Sequence, residues 1–154
     1  MAKIYNMPQE HFYDVSLTWN ADRKGTINSD VLDTSIEVAT PPEFPKGMAG
    51  IWSPEHLFVA AINSCLMTTF LAIAENSRLV YNNFESKAIG KLELVDGKYL
   101  MSEVVLKHVV ILSNEDDREK ALKVLHKSEA ACLISNSVKS KIILEPEVKV
   151  EAFA

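Results

Sequence analysis

The segment Ser53-Pro54-Glu55-His56-Leu57-Phe58-Val59-Ala60-Ala61-Ile62-Asn63-Ser64-Cys65-Leu66-Met67-Thr68-Thr69-Phe70-Leu71-Ala72-Ile73-Ala74 carries no charged side chain from Leu57 to its end. Ser53 is placed to cap a helix, Pro54 suits the first helical position, and Glu55 complements the positive end of the helix dipole. Leu57, Phe58, Ile62, Leu66, Phe70, Leu71 and Ile73 spread round every face. A helix of that kind is either a membrane span or the centre of a packed core. Asn63, Ser64, Thr68 and Thr69 dilute its apolar character, and no Lys/Arg cluster flanks it to orient a span. The core reading is preferred, and no membrane partner is expected.

Moving upstream, Pro41-Pro42-Glu43-Phe44-Pro45-Lys46-Gly47-Met48-Ala49-Gly50 holds three of the six prolines and two of the five glycines. Proline fixes φ and lacks a donor, so this is an irregular loop, either functional or a plain connector. From Phe12 to Asn20 the chain alternates, with Val15, Leu17 and Trp19 on one side, which predicts a half-buried strand. Arg23-Lys24-Gly25-Thr26-Ile27 reads as a turn into a second strand, and Ile36 and Val38 mark a third, completing an antiparallel meander. Residues 1–11 show no pattern and are expected to form an N-terminal arm.

Downstream, residues 84–95 and 98–112 predict two strands joined by Asp96-Gly97, a dipeptide that tight hairpins favour. Val104, Leu106, His108 and Val110 lie on one face of the second, and Val105, Val109 and Ile111 on the other, which suits a strand in the middle of a sheet. Asn114-Glu115-Asp116-Asp117 opens a second helix. Ala121, Leu122, Leu125, Ser128 and Cys132 form its inward stripe, while Lys120, Lys123 and Lys127 are expected to face water. A polar stretch, Ser135-Asn136-Ser137, then leads to a last strand over about 142–153. The order βββ-α-ββ-α-β predicts a single α+β domain over 1–154, with antiparallel sheets packed on a buried central helix. One small sheet and one further helix cannot cover a helix apolar on all sides, so a homodimer is expected.

A chain of 154 residues with 47% hydrophobic and 24% charged residues suits one globular domain. Its 16 basic residues are scattered among 21 acidic ones, and the net charge of −5 argues against nucleic acid as a partner. The first residues lack the apolar run of a signal peptide, so a reducing cytoplasm is the expected location. His11, His56, His108 and His126 show no metal-ligand spacing. His56 and His126 are expected on helix surfaces, and His108 as a hydrogen-bonded core residue. No metal or other cofactor is called for.

Two cysteines remain. Cys65 lies on the uncharged helix, where a thiol is often an inert small hydrophobe with a raised pKa. Cys132 ends the inward stripe of the second helix, so the two are placed to approach each other. A bridge between them would close a loop of 67 sequence steps, worth about 4 kcal/mol in the chain-entropy account. A reducing compartment disfavours a permanent bridge, and a pair that opens and closes in turnover fits better.

Three runs carry a resemblance. Trp52-Ser53-Pro54-Glu55-His56-Leu57 through to Cys65, Glu129-Ala130-Ala131-Cys132-Leu133-Ile134-Ser135-Asn136, and Asp22-Arg23-Lys24-Gly25-Thr26-Ile27 resemble the OsmC/Ohr family of osmotically induced and organic hydroperoxide resistance proteins. The likeness extends over about residues 12–152. It implies an intertwined α+β homodimer and a thiol peroxidase acting on organic hydroperoxides in the oxidative stress response. It further implies Cys65 as the peroxidatic nucleophile, Cys132 as the resolving thiol, Arg23 as the activating cation and Glu55 as the carboxylate orienting it. A dithiol such as a lipoyl group is the implied reductant. One departure is visible: the family commonly has proline directly after the second cysteine, and Leu133 stands there.

The chemistry such a site needs is clear. A thiolate attacks the O–O bond, and it must persist against desolvation. A guanidinium, charged under all relevant conditions, suits that task, and of the three arginines Arg23 is the freest to reach inward. Ten residues of straight helix span about 15 Å, so Glu55 and Cys65 of one chain cannot share a small site. Either the helix breaks near Asn63-Ser64 or the carboxylate and arginine come from a second subunit, and the second is preferred. Phe44, Met48, Trp52 and Phe58 are candidates for an apolar substrate surface, or staples of the proline-rich loop. Two other functions stay open: a dimeric binding module for a small apolar ligand, and a redox sensor on the same fold.

Overall fold

Alternation and turn chemistry shape the first part of the chain. The computed structural model describes residues 10–151, so most of the expected arm over 1–11 lies outside the described residues. The chain gathers into two compact units, one up to Pro54 and one from Glu55 onward.

In the N-terminal unit, β1 (Ser16–Ala21), β2 (Lys24–Asn28) and β3 (Ile36–Ala39) form an antiparallel meander in the order β1-β2-β3. Asp22, at φ 49°, turns the chain tightly between β1 and β2. Gly25 faces Trp19 across that pair, and a Cβ there would lie 2.8 Å from the Thr18 carbonyl oxygen. The proline-rich loop is irregular yet tied to itself. Phe44 N–H donates to the Pro41 carbonyl at 3.1 Å, Gly47 N–H to Phe44 at 3.0 Å, and Met48 N–H to Thr40 at 2.9 Å.

One expectation for this unit is corrected. The first strand begins at Ser16 rather than Phe12, and all six of its residues are exposed. The apolar face is present, with Leu17 65% and Trp19 72% exposed. Periodicity creates such a face, but burial needs a second surface, and the single chain does not supply it.

In the C-terminal unit, α1 (Pro54–Asn76) runs unbroken through Asn63-Ser64. Ile62, Leu66, Phe70 and Ala74 form one buried row at four-residue spacing, while Met67 and Leu71 on the other side are exposed in the single chain. By length and composition alone α1 could cross a membrane, but its buried row packs against strand and helix residues within this unit. β4 (Asn83–Val95) and β5 (Lys98–Leu112) form a long hairpin closed by Asp96 and Gly97, at φ 49° and 77°, the positive values a two-residue turn of this hand requires. A Glu115–Asp117 3-10 turn, capped by Asn114 Oδ1 accepting from Asp116 N–H at 3.1 Å, leads into α2 (Arg118–Ala131).

β6 (Lys141–Val150) then completes a sheet of order β4-β5-β6, with β5 in the middle as expected. β6 is parallel to β5, so this sheet is mixed rather than antiparallel. The reason is α2, which carries the chain back to the starting end of the sheet before β6 begins. The last strand stops at Val150, and residues 152–154 lie outside the described residues.

Helices and sheet enclose two apolar clusters. Phe70, Ala74, Val110, Leu112, Val124 and Leu125 belong to one, and Ile62, Leu66, Val104, Leu106 and Cys132 to the other. Lys123 and Lys127 are exposed as expected, whereas Lys120 is half-buried and its Nζ donates to the Arg78 carbonyl at 3.1 Å. His56 and His126 are exposed. His108 is in the core but not hydrogen-bonded: among the described residues neither ring nitrogen has a partner. Its neighbours on the inner face of β5 are apolar, and its ring stacks on Phe84.

Candidate active site

Cys65 lies about three turns into α1, half-buried against the second cluster, of which Cys132 is a fully buried member. Cys132 is the C-cap of α2. Its N–H still donates to the Glu129 carbonyl at 3.2 Å, but its extended backbone, φ −63° and ψ 112°, takes the chain out of the helix. Asn136 N–H then donates to the Cys132 carbonyl at 3.0 Å, and Ser137 N–H to that of Ile134 at 2.9 Å. The resulting turn lies against α1. Both cysteines are free thiols packed in one cluster, close enough for each to act on the other's acidity.

The two sulfurs have opposite acidity. Desolvation pushes the Cys65 thiol up, yet the neighbouring Ile134 and Leu133 N–H groups and the Cys132 thiol outweigh it, and its pKa lies below the ordinary value. Each of these donors is better satisfied by a thiolate than by a thiol. The Thr69 hydroxyl donates to the Cys65 carbonyl at 2.8 Å. At Cys132 desolvation wins. Burial and the neighbouring Cys65 push its pKa up, the Ser135 N–H opposes them, and the net shift is upward. Cys65 is therefore the better nucleophile and Cys132 its protonated neighbour.

Among the described residues of this unit, the groups that lower Cys65 are hydrogen-bonding groups of α1 and of the turn after α2. Thr69, Ile134 and Ser135 were not read as site residues, and Leu133 was noted only as standing where proline is common. Thr69 alone left a signal, standing four residues after Cys65 on one helix face. Main-chain N–H groups carry no mark in the sequence.

Phe58 packs on the same cluster as Cys65. Glu55 stands in the first turn of α1, ten residues before Cys65, and the unbroken helix keeps them about 15 Å apart along its axis. One Glu55 carboxylate oxygen, Oε2, is buried with no hydrogen-bond partner among the described residues. Arg23, Phe44, Met48 and Trp52 belong to the N-terminal unit. Arg23 is exposed in the β1–β2 turn, Phe44 and Met48 are half-buried in the proline-rich loop, and Trp52 forms a single bridge with Val38.

Relatives share this arrangement of elements. The sequence profile of the family described as "OsmC-like protein" matches residues 47–147, a span that includes both cysteines and the helices bearing them. The uncharacterized protein YmaD of Bacillus subtilis (strain 168) is 27% identical over 150 residues, covering 94% of this chain and 97% of that one. An OsmC-like protein of unknown function from Vibrio cholerae O1 biovar eltor superposes with a TM-score of 0.78 at 25% identity, covering 89% of this chain and 99% of that structure. An organic hydroperoxide resistance protein from Elizabethkingia anophelis, solved with thiocyanate bound, superposes with a TM-score of 0.70 at 19% identity, covering 92% and 99%. With two cysteine-bearing helices on a three-stranded mixed sheet and a profile spanning most of both, this chain belongs to the OsmC-like protein family.

Proposed function

We propose that this protein is a cytoplasmic thiol peroxidase that reduces organic hydroperoxides to alcohols. The observation that carries the reading is the contact between two free thiols of opposite acidity, one lowered and one raised. The Cys65 thiolate attacks the terminal peroxide oxygen, the O–O bond breaks, and the departing alkoxide takes a proton to become the alcohol. The sulfur is left as a sulfenic acid. Cys132 then attacks that sulfur: the S–S bond forms, the S–O bond breaks, and the Cys132 proton leaves with the hydroxide as water. A dithiol reductant of the lipoyl type reopens the disulfide by two successive exchanges and is itself oxidised to its cyclic disulfide. Organic hydroperoxide resistance is the stated role of the Elizabethkingia anophelis relative, and the reading extends that chemistry here.

The working form we propose is an intertwined homodimer. The unpartnered Glu55 oxygen supports it, since a buried carboxylate oxygen calls for a donor, and in this reading the Glu55 carboxylate and the Arg23 guanidinium both serve the cysteine pair of the partner chain. Phe44, Met48, Trp52 and Phe58 give the substrate's alkyl group an apolar surface, favouring alkyl hydroperoxides over hydrogen peroxide.

The test is an assay with dihydrolipoamide and its reductase, comparing an alkyl hydroperoxide with hydrogen peroxide. Cys65→Ser should abolish turnover. Cys132→Ser should permit one oxidation and then let Cys65 advance to the sulfinic acid, seen by mass. Turnover surviving in Cys65→Ser would end the proposal.

A further inference from the structure

The main-chain carbonyl of Cys65 is crowded with donors. The Thr69 hydroxyl donates to it at 2.8 Å and the Thr68 hydroxyl at 2.9 Å. An unbroken α-helix gives the same oxygen the main-chain N–H four residues on, which is again that of Thr69. A carbonyl oxygen has two lone pairs, so one of the three donors is surplus. Of the two hydroxyls, that of Thr69 is the one placed to leave. Thr69 stands one turn after Cys65 on the same helix face, and helical side chains lean toward the N-terminal turn, which brings this hydroxyl over the Cys65 side chain. Thr69 is half-buried, as Cys65 is, whereas Thr68 is exposed. The thiol is within the reach of the Thr69 hydroxyl as well, and turning the O–H bond toward it breaks no bond of the helix.

We propose that the Thr69 hydroxyl is a two-position donor, resting on the Cys65 carbonyl while the sulfur is a thiol and turning to the sulfur once it is a thiolate. Thr68 and the helix N–H then keep the carbonyl satisfied, which makes Thr68 a positioning residue. The thiolate accepts without a proton of its own to place, so the hydroxyl gains by turning only when the sulfur is ionised. The inference rests on the peroxidase reading and deepens it, because an ionised sulfur is the species that attacks the peroxide. Among the described residues of this unit, the titratable group facing Cys65 is Cys132; the other members of the cluster, from β4, β5, β6 and the turn after α2, are apolar.

The measurement is the pH dependence of Cys65 alkylation by iodoacetamide in the full chain carrying Cys132→Ser, so that one sulfur titrates, with the modified residue identified by mass. Thr69→Val keeps the shape and branching of the side chain and removes the hydroxyl. It should titrate at higher pH, with alkylation near neutrality slowed about threefold to tenfold. Thr69→Ala takes its place should the valine variant fail to fold. Thr69→Ser retains the hydroxyl and should titrate with the reference protein. Thr68→Val takes a hydroxyl from the same carbonyl but none from the sulfur, so its shift should be the smaller. Every variant keeps Arg23 and Glu55, so whatever these contribute through a second chain is common to all.

A folded Thr69→Val or Thr69→Ala protein that titrates with the reference would overturn the inference. So would a Thr68→Val shift as large as that of the Thr69 variant, or a Thr69→Ser protein that titrates like Thr69→Val. A raised titration in Thr69→Val, in a protein whose two-cysteine parent reduces no hydroperoxide, would sink the peroxidase reading while leaving the donor's role standing.

Discussion

His108 sits fully buried in the middle of β5, its ring 5.8 Å from that of Phe84 and stacked on it, with both nitrogens unpartnered among the described residues. Burial pushes its pKa down to about 4, against an ordinary 6.5. The folded protein thus holds this imidazole neutral at pH values where the unfolded chain protonates it. Above pH 6.5 the group costs nothing further. Between 6.5 and 4 the unfolded state gains a proton that the folded state refuses, and stability falls by up to about 3 kcal/mol. His108→Leu should therefore flatten the loss of urea-midpoint stability between pH 7 and pH 4.5. An unchanged slope would show that other groups govern acid unfolding. At this scale the sequence placed His108 in the core through strand alternation, but it expected a hydrogen bond. The lack of one is a property of the neighbours that β4, α1 and α2 happen to present, and no local pattern encodes that.

The elements were the most legible level. The three-strand meander, the proline-rich loop, α1, the Asp96-Gly97 hairpin and α2 stand close to where periodicity and turn chemistry put them. The close approach of α1 to β4 was not legible. A Cβ at Gly90 would meet Val59 on α1 and come within 2.6 Å of the Met101 methyl on β5. Gly90→Ala should consequently cost about 1–3 kcal/mol by overpacking. Val59→Ala added to it should recover part of that loss, because the new methyl then fills the space vacated. Thermal or urea denaturation of the four proteins in the cycle measures this, and strict additivity would contradict the contact. The parallel pairing of β6 was missed for a similar reason. A short helical crossover and a hairpin leave the same strand pattern in the sequence, and direction is set only when α2 docks.

For the whole molecule, the exposed apolar rows are the guide. Val15, Leu17 and Trp19 on one unit, and Met67 and Leu71 on α1, are each 41% exposed or more. Faces so regular and so bare are matched by a second copy in the homodimer we propose. Sedimentation equilibrium should give twice the monomer mass at micromolar concentration. Leu71→Glu should shift that mass toward the monomer and, with Arg23 and Glu55 then separated from a partner's cysteine pair, reduce peroxide turnover at least tenfold. A monomeric parent protein with full activity would refute the shared site.

Sequence alone determined the order of elements, the uncharged helix and the two cysteines with inward places on separate helices, because each is written in local periodicity and residue type. The meeting of the two sulfurs, and the split of their acidity, were decided only by the tertiary structure. A thiol's ionisation depends on which donors surround it in space. Here that surrounding includes a second thiol 67 residues further along the chain, at the end of α2, a neighbour that only the fold delivers.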